Sequence, residues 1–157
     1  MKGVIFMNKI NYEELSKKLF SILEYEYGRP EDVCEELMYK YGRYYNGIVY
    51  HGAFGNTKEC VLDTYNGLIS CTYDLDVAES FARSGFSDED ESCTVFKVKL
   101  DDIFALDVQK LIEDCYRNLP DSELCKYMYE GYNAENELLL YYEDIQDNIE
   151  FLNYKDE

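Results

Sequence analysis

The sequence predicts an α+β domain with helices first and a mixed sheet after them. Three observations predict it. Apolar residues recur at helical spacing near the N-terminus, short β-rich runs replace that spacing from "GIVYHGAF" onward, and the chain is long enough for one core only. At 157 residues, with close to half of them hydrophobic, a single domain spanning 1–157 is expected.

The first helix is "NYEELSKKLFSILEYE", residues 11–26. Tyr12, Leu15, Leu19, Ile22 and Leu23 share one face, Asn11 suits the N-cap, and Glu14 sits at the capping-box position. "YGRP" breaks it. A second helix, "PEDVCEELMYKYG", begins at Pro30, faces inward with Val33, Leu37, Met38 and Tyr41, and ends at Gly42. Residues 1–46 thus form a helical lead-in. Strands are expected at 48–51, 68–72, 94–100, 103–108, 137–142 and 150–154. "DLDVAESFARSG" reads as a short helix with Val77, Ala78 and Phe81 inward, 109–132 as a tyrosine-rich helical insertion, and the acidic run 87–92 as an exposed loop.

A net charge of −18 argues against a broad grip on nucleic acid or anionic lipid, which needs Lys and Arg on phosphates. It permits docking on a basic protein surface, including one that normally holds nucleic acid. Seventeen tyrosines supply rings that are apolar in body and polar at the tip. Six scattered cysteines with no C-x-x-C pair, beside a single His, give no zinc pattern and no other metal site. No leader-like or membrane-spanning apolar run is evident, so a reducing cytoplasm is the expected setting.

Three stretches could carry chemistry. "IVYHGAF" delivers Tyr50 and His51 to Gly52, a residue that lets a ligand approach the backbone. "LISCTYDLDVAESFAR" is a strand ending in a Ser-x-Thr pair, Ser70 and Thr72, followed by a helix. "AENELLL" leads Glu135 and Glu137 into an aliphatic strand, and strand alternation would put both on one side. Each alone has a plain structural reading: a hydrogen-bonded His, a helix cap, an acidic surface. Their order together is harder to ascribe to chance.

That order resembles the ADP-ribosyltransferase superfamily. It resembles in particular the branch with an Arg on the first strand, a Ser-Thr-Ser strand, and a Glu-x-Glu or Gln-x-Glu entering a late strand. "VYHG", "ISCT" with its "VAESFAR" helix, and "ENELLL" carry the match, over residues 47–154. The sequence departs from the branch at two points. His51 replaces the first-strand Arg, as in the diphtheria-toxin and poly(ADP-ribose) polymerase branch, and Cys71 is the middle residue of the second motif.

The resemblance implies a fold of two packed, mostly antiparallel sheets with NAD in the cleft between them, preceded by N-terminal helices. It also implies cleavage of the nicotinamide glycosidic bond and mono-ADP-ribosylation of a protein acceptor, with arginine the expected target. Glu137 would be the catalytic carboxylate, Glu135 the residue facing the acceptor, and Ser70 the group orienting Glu137. His51, Gly52, Ser70, Thr72 and Arg83 would bind NAD, with Arg83 near a phosphate. Two other classes remain open: an NAD glycohydrolase using the same residues with water as acceptor, and a non-catalytic acidic module. Such a module would occupy a basic, nucleic-acid-binding surface, as counter-defence proteins of mobile elements do.

Overall fold

The computed structural model describes residues 9–24, 29–54, 67–83 and 93–153, with backbone only for 53, 54, 83, 93, 94 and 153. The acidic run 87–92, residues 25–26 of the expected first helix and Tyr154 lie outside the described residues.

Helix α1, Tyr12–Leu23, is capped as its sequence suggests: the Asn11 side chain accepts a hydrogen bond from the Glu14 amide at 3.1 Å. It buries Leu15, Leu19, Ile22 and Leu23. In α2, Glu31–Tyr41, Pro30 is the N-cap rather than the first helical residue, and Gly42 is the C-cap. A Cβ on Gly42 would lie 2.4 Å from both the Met38 carbonyl oxygen and the Phe104 ring, so only glycine lets the chain leave the helix here.

The sheet starts earlier than expected. Strand β1 is Arg43–Phe54, followed by β2, Leu68–Thr72, helix α3, Leu75–Arg83, and β3, Cys93–Asp107. The two strands expected at 94–100 and 103–108 are one strand, bent rather than broken at Asp102. That residue adopts a left-handed φ of 53°. Opposite the bend lies a bulge between Tyr45 and Gly47. Asn46 fastens the two irregularities: its side chain accepts from the Asp102 amide at 3.0 Å and donates to the Asp102 carboxylate at 3.1 Å.

Because of that bend, β3 serves two neighbourhoods. Its first part lies between β1 and β5, Ile149–Asn153, and its last residues pair with β4, Glu137–Tyr141. All pairings are antiparallel, in the order β1-β2-β4-β3-β5 with β1 also bonded to β3. Strands β1, β2, β4 and β3 therefore close on one another. Among the described residues the strands form one hydrogen-bonded, antiparallel five-stranded sheet, where the resemblance implied two packed sheets. The architecture is α+β.

Residues 109–132 form two helices, α4 (Val108–Asn118) and α5 (Glu123–Tyr132), capped by the side chains of Asp107 and Ser122. They pack with α1 and α2 into one core that also takes Leu68, Leu106 and Leu139 from the sheet. The other sheet face buries Val49, Ile69, Phe96, Val98, Leu138 and Leu140. Leucines 138 to 140 thus alternate between two cores, which fixes β4 from both sides. Among the described residues no helix is long and apolar enough to cross a membrane.

Candidate active site

Where β4 begins, its first residue faces the helical layer. Glu137 is 6% exposed, one of few buried polar residues, and such a charge requires partners. It has them. Ser70 Oγ donates to Glu137 Oε2 at 2.7 Å, and Arg29 Nη2 lies 2.7 Å from the same oxygen. Ser70 reaches it because β2 and β4 are paired antiparallel with Ser70 opposite Leu139 and Thr72 opposite Glu137, so residues 70, 72 and 137 share a face.

Glu135 arrives differently. It ends a short 3-10 turn, Asn133–Glu135, and Asn136 then takes a left-handed φ of 51° before the strand starts. Strand alternation therefore does not relate Glu135 to Glu137. A turn brings the two carboxylates together, and Asn is the non-glycine residue best suited to that backbone. Thr72 holds the turn: its hydroxyl donates to the Glu135 carbonyl at 2.7 Å and accepts from the Asp74 amide at 3.1 Å, joining the turn to the start of α3. Thr72 thus commits its proton within the protein while lining the cleft.

His51 lies one strand away. Its Nδ1 is 2.6 Å from the Ser70 carbonyl oxygen and its ring packs on Phe96, 5.0 Å between centroids. A carbonyl only accepts, so Nδ1 carries the proton and Nε2 is left as an acceptor. Burial pushes the imidazole below its ordinary pKa and keeps it neutral. The nearby Cys71 faces the second core, where burial drives its thiol far above the ordinary range and leaves it unreactive.

These residues line one cleft of about 450 Å³, within the ~300–1,000 Å³ typical of small-molecule sites. The cleft collects His51, Gly52, Ser70, Thr72, Glu135 and Glu137, all singled out by the sequence. The side chain of the seventh, Arg83, lies outside the described residues. Gly52 has a reason to be glycine besides the one expected. A Cβ there would meet the Ala78 carbonyl oxygen at 1.8 Å, so the approach of α3 by itself requires glycine, which also lines the cleft. Along α3 the inward residues are Ala78 and Ala82, while Phe81, expected inside, is 46% exposed and forms part of the cleft wall.

Sequence reasoning missed Arg29 and Tyr132. Arg29 stood only inside the helix-breaking "YGRP", and nothing local in that tetrapeptide marks a partner more than a hundred positions away. Tyr132 closes α5 at the cleft, its hydroxyl donating to the Glu24 carboxylate, which also accepts from Tyr127.

The two carboxylates are chemically unlike. Glu135 is pushed up to about 7, first by burial and then by the Glu137 charge, with Arg29 opposing both. It can therefore take up and release a proton near neutrality, whereas Glu137 is held by a hydroxyl and a guanidinium. Among the described residues, no group of three or more metal-ligating side chains gathers. Comparison with protein-family models, with curated proteins and with solved structures finds no match to this chain.

Proposed function

We propose that this chain is a mono-ADP-ribosyltransferase that cleaves NAD and transfers ADP-ribose to a protein arginine. The observation that carries the reading is the pairing of a buried, strand-held carboxylate, tied to Ser70 and Arg29, with a second carboxylate near neutrality beside it in one cleft. Breaking the nicotinamide glycosidic bond sends its electron pair to the nicotinamide nitrogen and leaves an oxocarbenium-like ribose. Glu137, fixed before the reaction starts, would stabilise that developing positive charge with little reorganisation. Ser70 would hold Glu137 in place, and His51, with Nε2 an acceptor, suits a ribose hydroxyl. An acceptor guanidinium then attacks the ribose carbon as it loses a proton, and Glu135 has the proton affinity to receive it. The net charge of −18 favours a basic acceptor protein.

The test is incubation with labelled NAD and candidate basic proteins, read by intact mass. One ADP-ribose adduct per acceptor, lost in the Glu137→Gln form, supports the transferase. Free ADP-ribose without adduct makes the chain an NAD glycohydrolase. No NAD consumption, with wild type and Glu137→Gln alike, leaves the acidic binding module and ends the enzymatic reading.

A further inference from the structure

Arg29 is the one cation among the described residues that line the cleft, and it faces two carboxylates there. Both members of its ion pair are largely withdrawn from water, with side chains 11% and 7% exposed. A pair so placed gains little net stability, because desolvating two ions offsets most of their attraction. Stability alone is therefore a poor reason for a guanidinium at this spot. Its backbone is nonetheless well anchored. Pro30 follows it directly and is the N-cap of α2, so the stem of Arg29 starts from a fixed point while a long side chain reaches to the first residue of β4.

The two charges answer two opposite demands. An anionic group entering this cleft meets two carboxylates, and among the described residues Arg29 is the side chain there able to offset them. A group that becomes cationic in the cleft needs Glu137. In the structure each charge holds the other, so a ligand that is anionic at one end and develops positive charge at the other exchanges with both. We propose that Arg29 is an anion-binding residue of the cleft that takes a phosphate or pyrophosphate group in competition with Glu137. Binding of the anion transfers the guanidinium from carboxylate to phosphate, whose oxygens match its planar fork at least as well, and frees Glu137. Within the NAD reading, the nucleotide's own pyrophosphate unmasks the carboxylate that acts on its ribose. The inference rests on that reading only for the ligand's identity.

Competition gives a signature that a structural salt bridge does not. Inorganic pyrophosphate is titrated calorimetrically, at fixed ionic strength, into wild type, Glu137→Gln, Arg29→Gln and the double variant. Removing the competing carboxylate in Glu137→Gln tightens pyrophosphate binding about tenfold. Arg29→Gln loses that binding, and so does the double variant. The double variant keeps the measurement interpretable if the single Arg29 change unfolds the protein, because it removes both members of the ion pair together. Equal affinity of wild type and Glu137→Gln, or tight binding by the double variant, overturns the proposal. Turnover is a separate readout: ADP-ribosylation without this competition leaves the enzyme and removes the Arg29 role, whereas competition without NAD consumption does the reverse.

Discussion

Strand β4 and the turn that feeds it carry one carboxylate each, two positions apart, and treat them in opposite ways. The strand is bonded on both edges, to β2 and to β3, and buries its leucines in two cores, so Glu137 starts from a rigid base. The turn has one 3-10 loop, one left-handed Asn and one hydroxyl from Thr72 holding its carbonyl. Glu137 has two donors on one oxygen, while Glu135, half-buried and close to that charge, is driven towards its neutral form. Two identical side chains thus meet different surroundings, one tied to a hydroxyl and a guanidinium and the other pushed up to about 7, which suits a stabiliser and a base working side by side.

The largest way to break the contrast is Glu137→Gln. It keeps shape and removes the charge, and NAD consumption should fall by about 10²–10³, read by release of nicotinamide. Glu135→Gln comes next and should act selectively. Transfer to arginine drops by about 10² for want of a base, while NAD hydrolysis persists, so the ratio of free to transferred ADP-ribose rises. A similar fall in both activities would mean that the two carboxylates form one unit.

Glu135 also predicts a pH dependence. Its carboxyl is raised in the folded protein from 4.5 to about 7, so between those values the folded state binds a proton that the unfolded state has released. Stability from this group is therefore greatest below about 4.5, declines as pH rises, and is lost by about 7. Thermal melts of wild type and Glu135→Gln should converge in acid and separate towards neutrality, with the variant the more stable. The transfer rate depends only on the folded-state value and should rise through a midpoint near 7 as the base loses its proton.

How far all this could be read in advance depended on how local the signal was. Helix α1 was legible because its cap and its apolar stripe are encoded side by side, in Asn11 and the twelve residues after it, and β4 because three leucines follow a turn. The first residues of β1 were not, since "RYYNG" is too short and polar to show an alternating face, with Tyr44 exposed; its pairing partner is the far end of β3. "DD" at 101–102 read as a break, although Asn46 clasps it into a bend. At the site, residue types were visible but their partnerships were not. Ser70, His51 and Glu137 come from three strands, and Arg29 joins them from a helix junction that carries no motif.

Ser70→Ala removes one of the two donors from Glu137 and leaves Glu135 untouched. The loss of a hydrogen bond to a charged group, worth about 1.5–3 kcal/mol, should lower NAD consumption about tenfold, without altering the pH midpoint for transfer. Movement of that midpoint would show that Ser70 acts on both carboxylates.

The smallest effect belongs to Asn136, and it isolates the turn from the strand. Glycine adopts the left-handed backbone without strain, so Asn136→Gly should change stability by only a few tenths of a kcal/mol. Asn136→Val forces a β-branched side chain into that conformation and should cost about 1–2 kcal/mol in chemical denaturation. Because β4 is held by its own pairing and two cores, the strain should be relieved in the turn, displacing Glu135 while Glu137 keeps its bond to Ser70. Transfer to arginine should then weaken more than NAD cleavage. An equal loss of both would make the turn and strand one rigid element, with Asn136 the hinge that joins them.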